Sequence, residues 1–222
     1  MKKLLILTLP ALVLLTIWAF KPDAPVKIYP EIEAYFNSID TKPLEAKHAY
    51  TLVNLQHSVN SSRIDYKDWN YTFYCEDNST KSQAAQVFLH TMAYAKKFKK
   101  VKIHSAGAAK GTVDQKLIDG LAKIGYKVNK TTKNGEVAYE VKFSDKADPV
   151  TLFAKDARDK SLPISDVSSI LLCDTTRGKS CFQILTPSTP FYLPLSTSSD
   201  TDDMDIMLKD IAGAMVYITK NK

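Results

Sequence analysis

The stretch FYCEDNSTKSQAAQVFL, residues 73–89, joins the end of a strand, a polar loop and the start of a helix. Its first residues complete the β-rich run NYTFYC, and SQAAQVFLHTMAYAKKF after the loop has apolar residues at helical intervals. Cys75 stands where the strand pattern ends, and Lys81 stands where the helix pattern begins. Ligands of open parallel sheets collect where strand ends lead into helix N-termini, so this junction predicts the functional site.

Strand and helix patterns alternate on both sides of this stretch. The strand patterns are NYTFYC, KVKIHSAG, DVSSILLC and PFYLPL, and the helix patterns are SQAAQVFLHTMAYAKKF, DQKLIDGLAKIG and DDMDIMLKDIAGAMVYI. This alternation predicts right-handed βαβ crossovers. YKVNKTTKNGEVAYEVKF at 126–143 predicts a hairpin instead, because Asn134-Gly135 is a preferred type I′ turn pair. The predicted fold class is α/β, a doubly wound, mainly parallel four-stranded sheet with helices on both faces.

The residues before the α/β pattern divide into two predicted segments. MKK followed by an apolar run over 4–20 and then KPDAP is typical of an export signal. We expect an exported protein, periplasmic or extracellular, with residues 1–20 either cleaved or kept as a membrane anchor. Two helical patterns, IYPEIEAYFNSI and EAKHAYTLVNLQHSV, predict a helical extension over 21–65. The α/β domain is expected over 66–222.

Composition bears on the classes of partner. The formal net charge is +6, but the basic residues are scattered apart from KKFKKVK at 96–102, and no recognition motif accompanies that cluster. We therefore predict no nucleic-acid binding. The four histidines have no ligand spacing, which predicts no metal site, and we expect no cofactor. Contact with a membrane is expected only through the N-terminal segment.

The loop after Cys75 predicts a cradle for an oxyanion with a thiol inside it. Backbone N–H groups of such a loop can surround an anion, and the dipole of the following helix adds positive potential. The same field is expected to lower the pKa of the Cys75 thiol toward the thiolate. A thiolate in a phosphate cradle is a nucleophile for phosphorus. The alternative interpretation is that Cys75 is a small buried core residue.

The residues from Cys75 to Gln83 resemble the C-x5-R-S loop of the low-molecular-weight protein tyrosine phosphatase superfamily, which includes thioredoxin-coupled arsenate reductases with a C-x-x-N-S-x-R-S-Q loop. HSAGAAKGTVDQKLIDGLAKIGYKV is similar to the family's second strand, S-A-G-T turn and next helix, and the resemblance covers about residues 66–220. It implies a phosphocysteine intermediate on Cys75. It also implies that the phosphate is bound by the loop residues Glu76, Asp77, Asn78, Ser79, Thr80, Lys81 and Ser82, with the two serines organising the loop through hydrogen bonds to the thiolate and the backbone.

Three departures from the family pattern weaken the implied catalysis. Lys81 replaces the loop arginine and lacks the planar fork that grips phosphoryl oxygens bidentately. Where the family has a general-acid Asp-Pro, this chain has LPLSTSSDTDD, in which Asp200 and Asp202 are the candidate acids and an acidic helix start is the alternative explanation. Cys173 and Cys181 are spaced C-x7-C, where the arsenate reductases have C-x6-C-P.

The second and third cysteines leave two interpretations open. In an arsenate reductase-like chain Cys75 would attack arsenate, Cys173 would form a disulfide with it, and Cys181 would resolve that disulfide. In an exported protein, a static disulfide between Cys173 and Cys181 is the alternative, and it leaves Cys75 as a free thiol.

The resemblance and its departures predict three candidate functions. The first is an exported phosphatase with weakened activity that hydrolyses phosphate monoesters through Cys75, on a phosphorylated protein or a small phosphomonoester. The second is a catalytically inactive pseudophosphatase that still binds phosphate or a similar oxyanion. The third is an arsenate reductase-like thiol redox enzyme.

Overall fold

A computed structural model describes residues 26–61, 68–98, 100–173, 184, 186–195 and 203–220. Its helices are α1 (Pro30–Asn37), α2 (Lys42–Ser61), α3 (Lys81–Ala95), α4 (Gln115–Ile124) and α5 (Met204–Ile218). Its strands are β1 (Trp69–Cys75), β2 (Val101–Gly107), β3 (Lys127–Lys133), β4 (Glu136–Lys142), β5 (Val150–Leu152), β6 (Val167–Leu171) and β7 (Phe191–Tyr192). The predicted export segment lies outside the described residues. Within them, no helix combines the length and the apolar character needed to cross a membrane.

The central sheet has the strand order β2-β1-β6-β7, and every pairing in it is parallel. Alternation along β1 directs Tyr71 and Phe73 into the main core, where they pack with α3 and α5. Tyr74 lies on the opposite face, in a smaller cluster with Leu162 and Leu171. The predicted α/β class with a parallel four-stranded sheet is confirmed.

A second, antiparallel sheet has the order β3-β4-β5. Its hairpin turns at Asn134 and Gly135, which have φ values of 55° and 80°. Positive φ at both central residues is the requirement of a type I′ turn, so the predicted hairpin is confirmed. The short strand β5 was not predicted, because the pairing of three residues depends on what the fold brings beside them.

Helices α1 and α2, which the sequence predicts as an extension, contribute to the main core. Ile32 of α1 and Leu52 of α2 are fully buried in the same apolar cluster as α3 and α5. On α2, Gln56 Nε2 donates to the carbonyl of Tyr217 at 3.1 Å, and Asn60 Nδ2 donates to that of Lys220 at 3.2 Å. These bonds join α2 to the carboxyl end of α5. The two helices therefore stabilise the α/β domain directly.

Candidate active site

Cys75 is the last residue of β1, the strand at which the winding of the sheet reverses. β1 pairs with β2 on one side and with β6 on the other. The strand order therefore extends in one direction from β1 to β2 and in the opposite direction from β1 to β6 and β7. Such a switch point at the carboxyl end of a parallel sheet forms a crevice for ligands. The loop after Cys75 and the start of α3 lie at this point, where the sequence predicts the site.

Four carbonyl groups of the loop turn toward the neighbouring segment, residues 108–114. They accept from backbone N–H groups at 2.8 to 3.1 Å, namely Cys75 from Ala108, Glu76 from Ala109, Asp77 from Gly111 and Ser79 from Asp114. In a planar trans peptide the C=O and the next N–H point in opposite directions, so the N–H groups of residues 76, 77, 78 and 80 point the other way. The N–H of Asn78 donates to the Cys75 sulfur at 3.3 Å, so they point toward the thiol side. The loop has the form of an anion cradle.

Asn78 braces this cradle from inside. Its φ is 56°, in the left-handed region that asparagine tolerates better than most residues, and its side chain is fully buried. Asn78 Nδ2 donates to Ser82 Oγ at 2.8 Å, and Asn78 Oδ1 accepts from the backbone N–H of Lys155 at 3.0 Å. The sequence predicts Asn78 as a phosphate-binding residue, and the contacts of its side chain are those of a structural brace.

The Cys75 thiol is enclosed, with only 1% of the residue exposed. Its sulfur lies 3.0 Å from Ser82 Oγ, the contact expected of Ser82. Burial raises the pKa of Cys75, and the Glu76 carboxylate raises it further, while hydrogen bonds from Ser82 and the backbone lower it. The net shift is upward, so the expected lowering of this pKa is wrong. Desolvation of the thiolate outweighs the stabilisation from these hydrogen bonds.

Lys81, the first residue of α3, already has an anionic partner. Its Nζ lies 3.6 Å from Glu76 Oε1, and 12% and 29% of the two side chains are exposed. The ammonium that should meet the phosphoryl oxygens is therefore paired with a carboxylate of the same loop. The sequence predicts that Glu76 binds phosphate through its backbone and misses the ion pair between its side chain and Lys81. The signal that could have revealed this pair is the presence of an acidic residue inside the loop.

The contacts of Ser79 and Thr80 differ in part from those that the sequence predicts. Ser79 donates from both N and Oγ to Asp77 Oδ1, at 3.0 and 2.7 Å, so it organises the loop through this carboxylate. Its hydroxyl is thus engaged away from the thiol, and the predicted serine–thiolate bond is found at Ser82 alone among the described contacts. Thr80 occupies the N-cap position of α3 without a side-chain capping bond, and its carbonyl accepts from Ala84 N.

The backbone of Lys155 supports the loop through Asn78, although nothing in the sequence points to this residue. Only 4% of the residue is exposed, and its ammonium lies 4.2 Å from the centre of the Phe153 ring. Burial lowers the pKa of Lys155 to about 8. Its backbone N–H holds Asn78 across a long sequence separation, which only the folded chain reveals.

The remaining predicted residues are only partly described. Cys173 follows β6 and is disulfide-bonded, whereas the Cys75 thiol is free. A resting disulfide between Cys75 and Cys173 is thus excluded. Cys181, Asp200 and Asp202 lie outside the described residues. Within the described part of the chain, no group of three or more His, Cys, Asp or Glu side chains could hold a metal ion.

The raised pKa of Cys75 predicts that the pH dependence of its alkylation is shifted to higher pH. Iodoacetamide reacts with the thiolate, so its rate should reach half-maximum at higher pH in the native protein than in the urea-unfolded chain, where a cysteine titrates at about 8.5. Ser82→Ala should move the native midpoint higher still, since Ser82 lowers this pKa. Mass spectrometry of the Cys75 peptide across a pH series gives the midpoint, which does not depend on how burial slows the absolute rate.

The same shift predicts a pH dependence of stability. A thiol whose pKa is higher in the folded state stabilises that state fully below the pKa of the unfolded chain. This contribution is lost as the pH rises through the folded pKa. A native alkylation midpoint at or below that of the unfolded chain would contradict both the predicted shift in alkylation and this predicted dependence of stability on pH.

Comparison with known proteins adds likenesses of fold. No family model and no curated protein matches the chain. Solved structures that match include an arsenate reductase in the phosphate binding state, 14% identical, with a TM-score of 0.41 over 68% of this chain and 93% of that one. A low molecular weight phosphotyrosine phosphatase from Vibrio cholerae is 14% identical, with a TM-score of 0.39 over 67% and 93%. A thioredoxin-dependent arsenate reductase from Corynebacterium glutamicum is 16% identical, with a TM-score of 0.40 over 85% and 80%.

Proposed function

We propose that this chain is an exported pseudophosphatase, a phosphatase-like domain that binds an oxyanion in the Cys75 loop without efficient turnover. The observation that carries the proposal is the pairing of Lys81 with Glu76 beside Cys75, whose thiol is buried and whose pKa burial raises. The cradle and its brace are intact, but the two groups that would perform the chemistry are held in unreactive states.

Binding of an oxyanion is supported by the backbone of the loop. The carbonyl groups bonded to residues 108–114 leave the opposite N–H groups directed toward the thiol side. α3 starts at Lys81, so the positive end of its dipole adds to the potential there. Backbone donors and a helix N-terminus together favour a phosphate-like ligand.

Loss of turnover is supported by the states of Cys75 and Lys81. A thiol with a raised pKa supplies little thiolate at neutral pH, and the thiolate is the nucleophile. An ammonium shared with Glu76 stabilises a developing negative charge less than a free one does. Removing one such electrostatic donor slows an enzyme by about 10²–10³.

Slow hydrolysis of phosphate monoesters through Cys75 is the second candidate. The contacts from Ser82 Oγ and Asn78 N to the sulfur favour it, because both would stabilise a thiolate once it formed. The arsenate reductase-like function has less support, since Cys173 is held in a disulfide while Cys75 is free. A disulfide also supports export, because disulfides persist in oxidising compartments.

The proposal predicts phosphate binding without hydrolysis. The full chain in a neutral detergent should hydrolyse para-nitrophenyl phosphate no faster than its Cys75→Ser variant between pH 5 and 8. Inorganic phosphate should raise the melting temperature of the parent and, by a larger amount, that of Glu76→Gln, in which Lys81 is released. Asp68→Asn is the matched control, because Asp68 pairs with Lys102 at 2.8 Å before the start of β1, at the other end of the sheet.

Two results would decide against the proposal. Turnover that disappears in Cys75→Ser would establish the slow phosphatase instead. No phosphate-dependent rise in melting temperature in either the parent or Glu76→Gln would mean that the loop does not bind oxyanions.

A further inference from the structure

We infer that the oxyanion bound by the Cys75 loop belongs to a zwitterionic ligand, an aminoalkyl phosphate monoester whose cationic amine lies a few bonds from the phosphoryl group. The inference rests on the proposed function and names the ligand class for that same loop. It is carried by the Glu76–Lys81 pair, a second carboxylate on Asp77 and a buried acceptor on Gln83.

A plain phosphate meets a carboxylate at this loop. Glu76 Oε1 lies 3.6 Å from Lys81 Nζ, so a phosphoryl group that approaches the ammonium also approaches Glu76. With 29% of the Glu76 side chain and 12% of the Lys81 side chain exposed, solvent screens this repulsion only in part. A dianion alone would therefore leave Glu76 beside a like charge.

The balance of charge in the loop is negative. Its side chains from 76 to 81 include two carboxylates, on Glu76 and Asp77, and one ammonium, on Lys81. Asp77 Oδ1 is engaged with Ser79, and this contact adds no positive charge. A ligand with a phosphoryl group and an amine would exchange one internal ion pair for two intermolecular pairs. Lys81 and the loop amides would take the phosphoryl oxygens, and Glu76 would take the amine.

An acceptor without a donor lies beside the same loop. The side chain of Gln83 is fully buried, and its Nε2 donates to the carbonyl of Asn78 in the loop. Gln83 Oε1 then accepts from no donor among the described residues. Buried acceptors are normally satisfied, and a site that has acceptors to spare favours a ligand that carries donors. An ammonium group is such a donor, whereas a phosphate dianion is not.

Calorimetric titration of the full chain in a neutral detergent, with 2-aminoethyl phosphate and with ethyl phosphate, tests the inference. The two esters share the phosphoryl group and the two-carbon chain and differ in the amine. We expect 2-aminoethyl phosphate to bind roughly five- to tenfold more tightly to the parent, the effect of one partly buried ion pair. The preference should fall below about twofold in Glu76→Gln and persist in Asp68→Asn.

Each other outcome has a distinct meaning. Equal affinities for the two esters in the parent would overturn the inference and leave the proposed function standing. A preference that survives in Glu76→Gln would overturn the assignment of the amine to Glu76. No binding of either ester by the parent or by Glu76→Gln would overturn the proposed function itself.

Discussion

Asn78→Ala should lower the free energy of unfolding by about 2–5 kcal/mol. The substitution removes the side chain that joins Ser82 Oγ to the Lys155 N–H, and it leaves that buried N–H without its acceptor. A buried donor left unsatisfied costs about 1–3 kcal/mol. Alanine must also adopt a φ near 56°, which costs a further 1–2 kcal/mol or so. Urea unfolding followed by circular dichroism, with the disulfide kept oxidised, measures the loss.

Asn134→Ala is the matched control for this experiment. Asn134 has a φ of 55° in the hairpin turn, so its substitution carries the same backbone cost. The residue is exposed, and no buried bond is lost with it. We expect only this backbone cost, a loss of about 1–2 kcal/mol. Equal losses at Asn78 and Asn134 would mean that the bonds inside the loop contribute nothing to stability.

Gly107→Ala should be as damaging for a different reason. Gly107 ends β2 directly opposite Cys75. A Cβ there would lie 2.3 Å from the carbonyl oxygen of Ala109 and 2.6 Å from the backbone N of Asn78. Both are backbone atoms that cannot rotate away, so the turn and the loop must separate. We expect a loss of about 3 kcal/mol or more in unfolding free energy, together with loss of phosphate binding.

Gly213→Ala provides the opposite expectation in the same assay. Gly213 lies inside α5, and the nearest atoms to an added Cβ are 3.6 and 3.7 Å away, on Ile39 and Leu44. These are ordinary contacts, and alanine in a helix interior is favoured over glycine by about 0.5–1 kcal/mol. The variant should therefore be more stable than the parent.

A Gly107→Ala variant with parental stability and phosphate binding would show that the approach of the turn to the loop is not required.

Local patterns in the sequence predict much of the fold. The strand and helix periods of residues 69–124 identify β1, α3, β2 and α4, because each element has its own repeat of apolar side chains. Asn134-Gly135 specifies its turn through two positive φ values, a constraint that belongs to the two residues themselves. The place of Cys75 at a strand end follows from the same local information.

The chemistry of the loop is a different matter. Residue types alone predict an activated thiol and a lysine available for phosphate, and the structure has a buried thiol with a raised pKa and a lysine paired with Glu76. A pKa depends on how much solvent the fold removes and on which charges remain nearby. Neither quantity can be read from the order of the residues.

The sequence by itself therefore determined the α/β class, the hairpin and the position of the candidate site, because these follow from periodicity and from the conformational limits of single residues. Tertiary structure alone decided that α1 and α2 complete the core, that the Lys155 N–H holds Asn78, and that Cys75 is enclosed. These three features depend on contacts between segments far apart in the chain. Their energies arise from burial and from distances that exist only after folding.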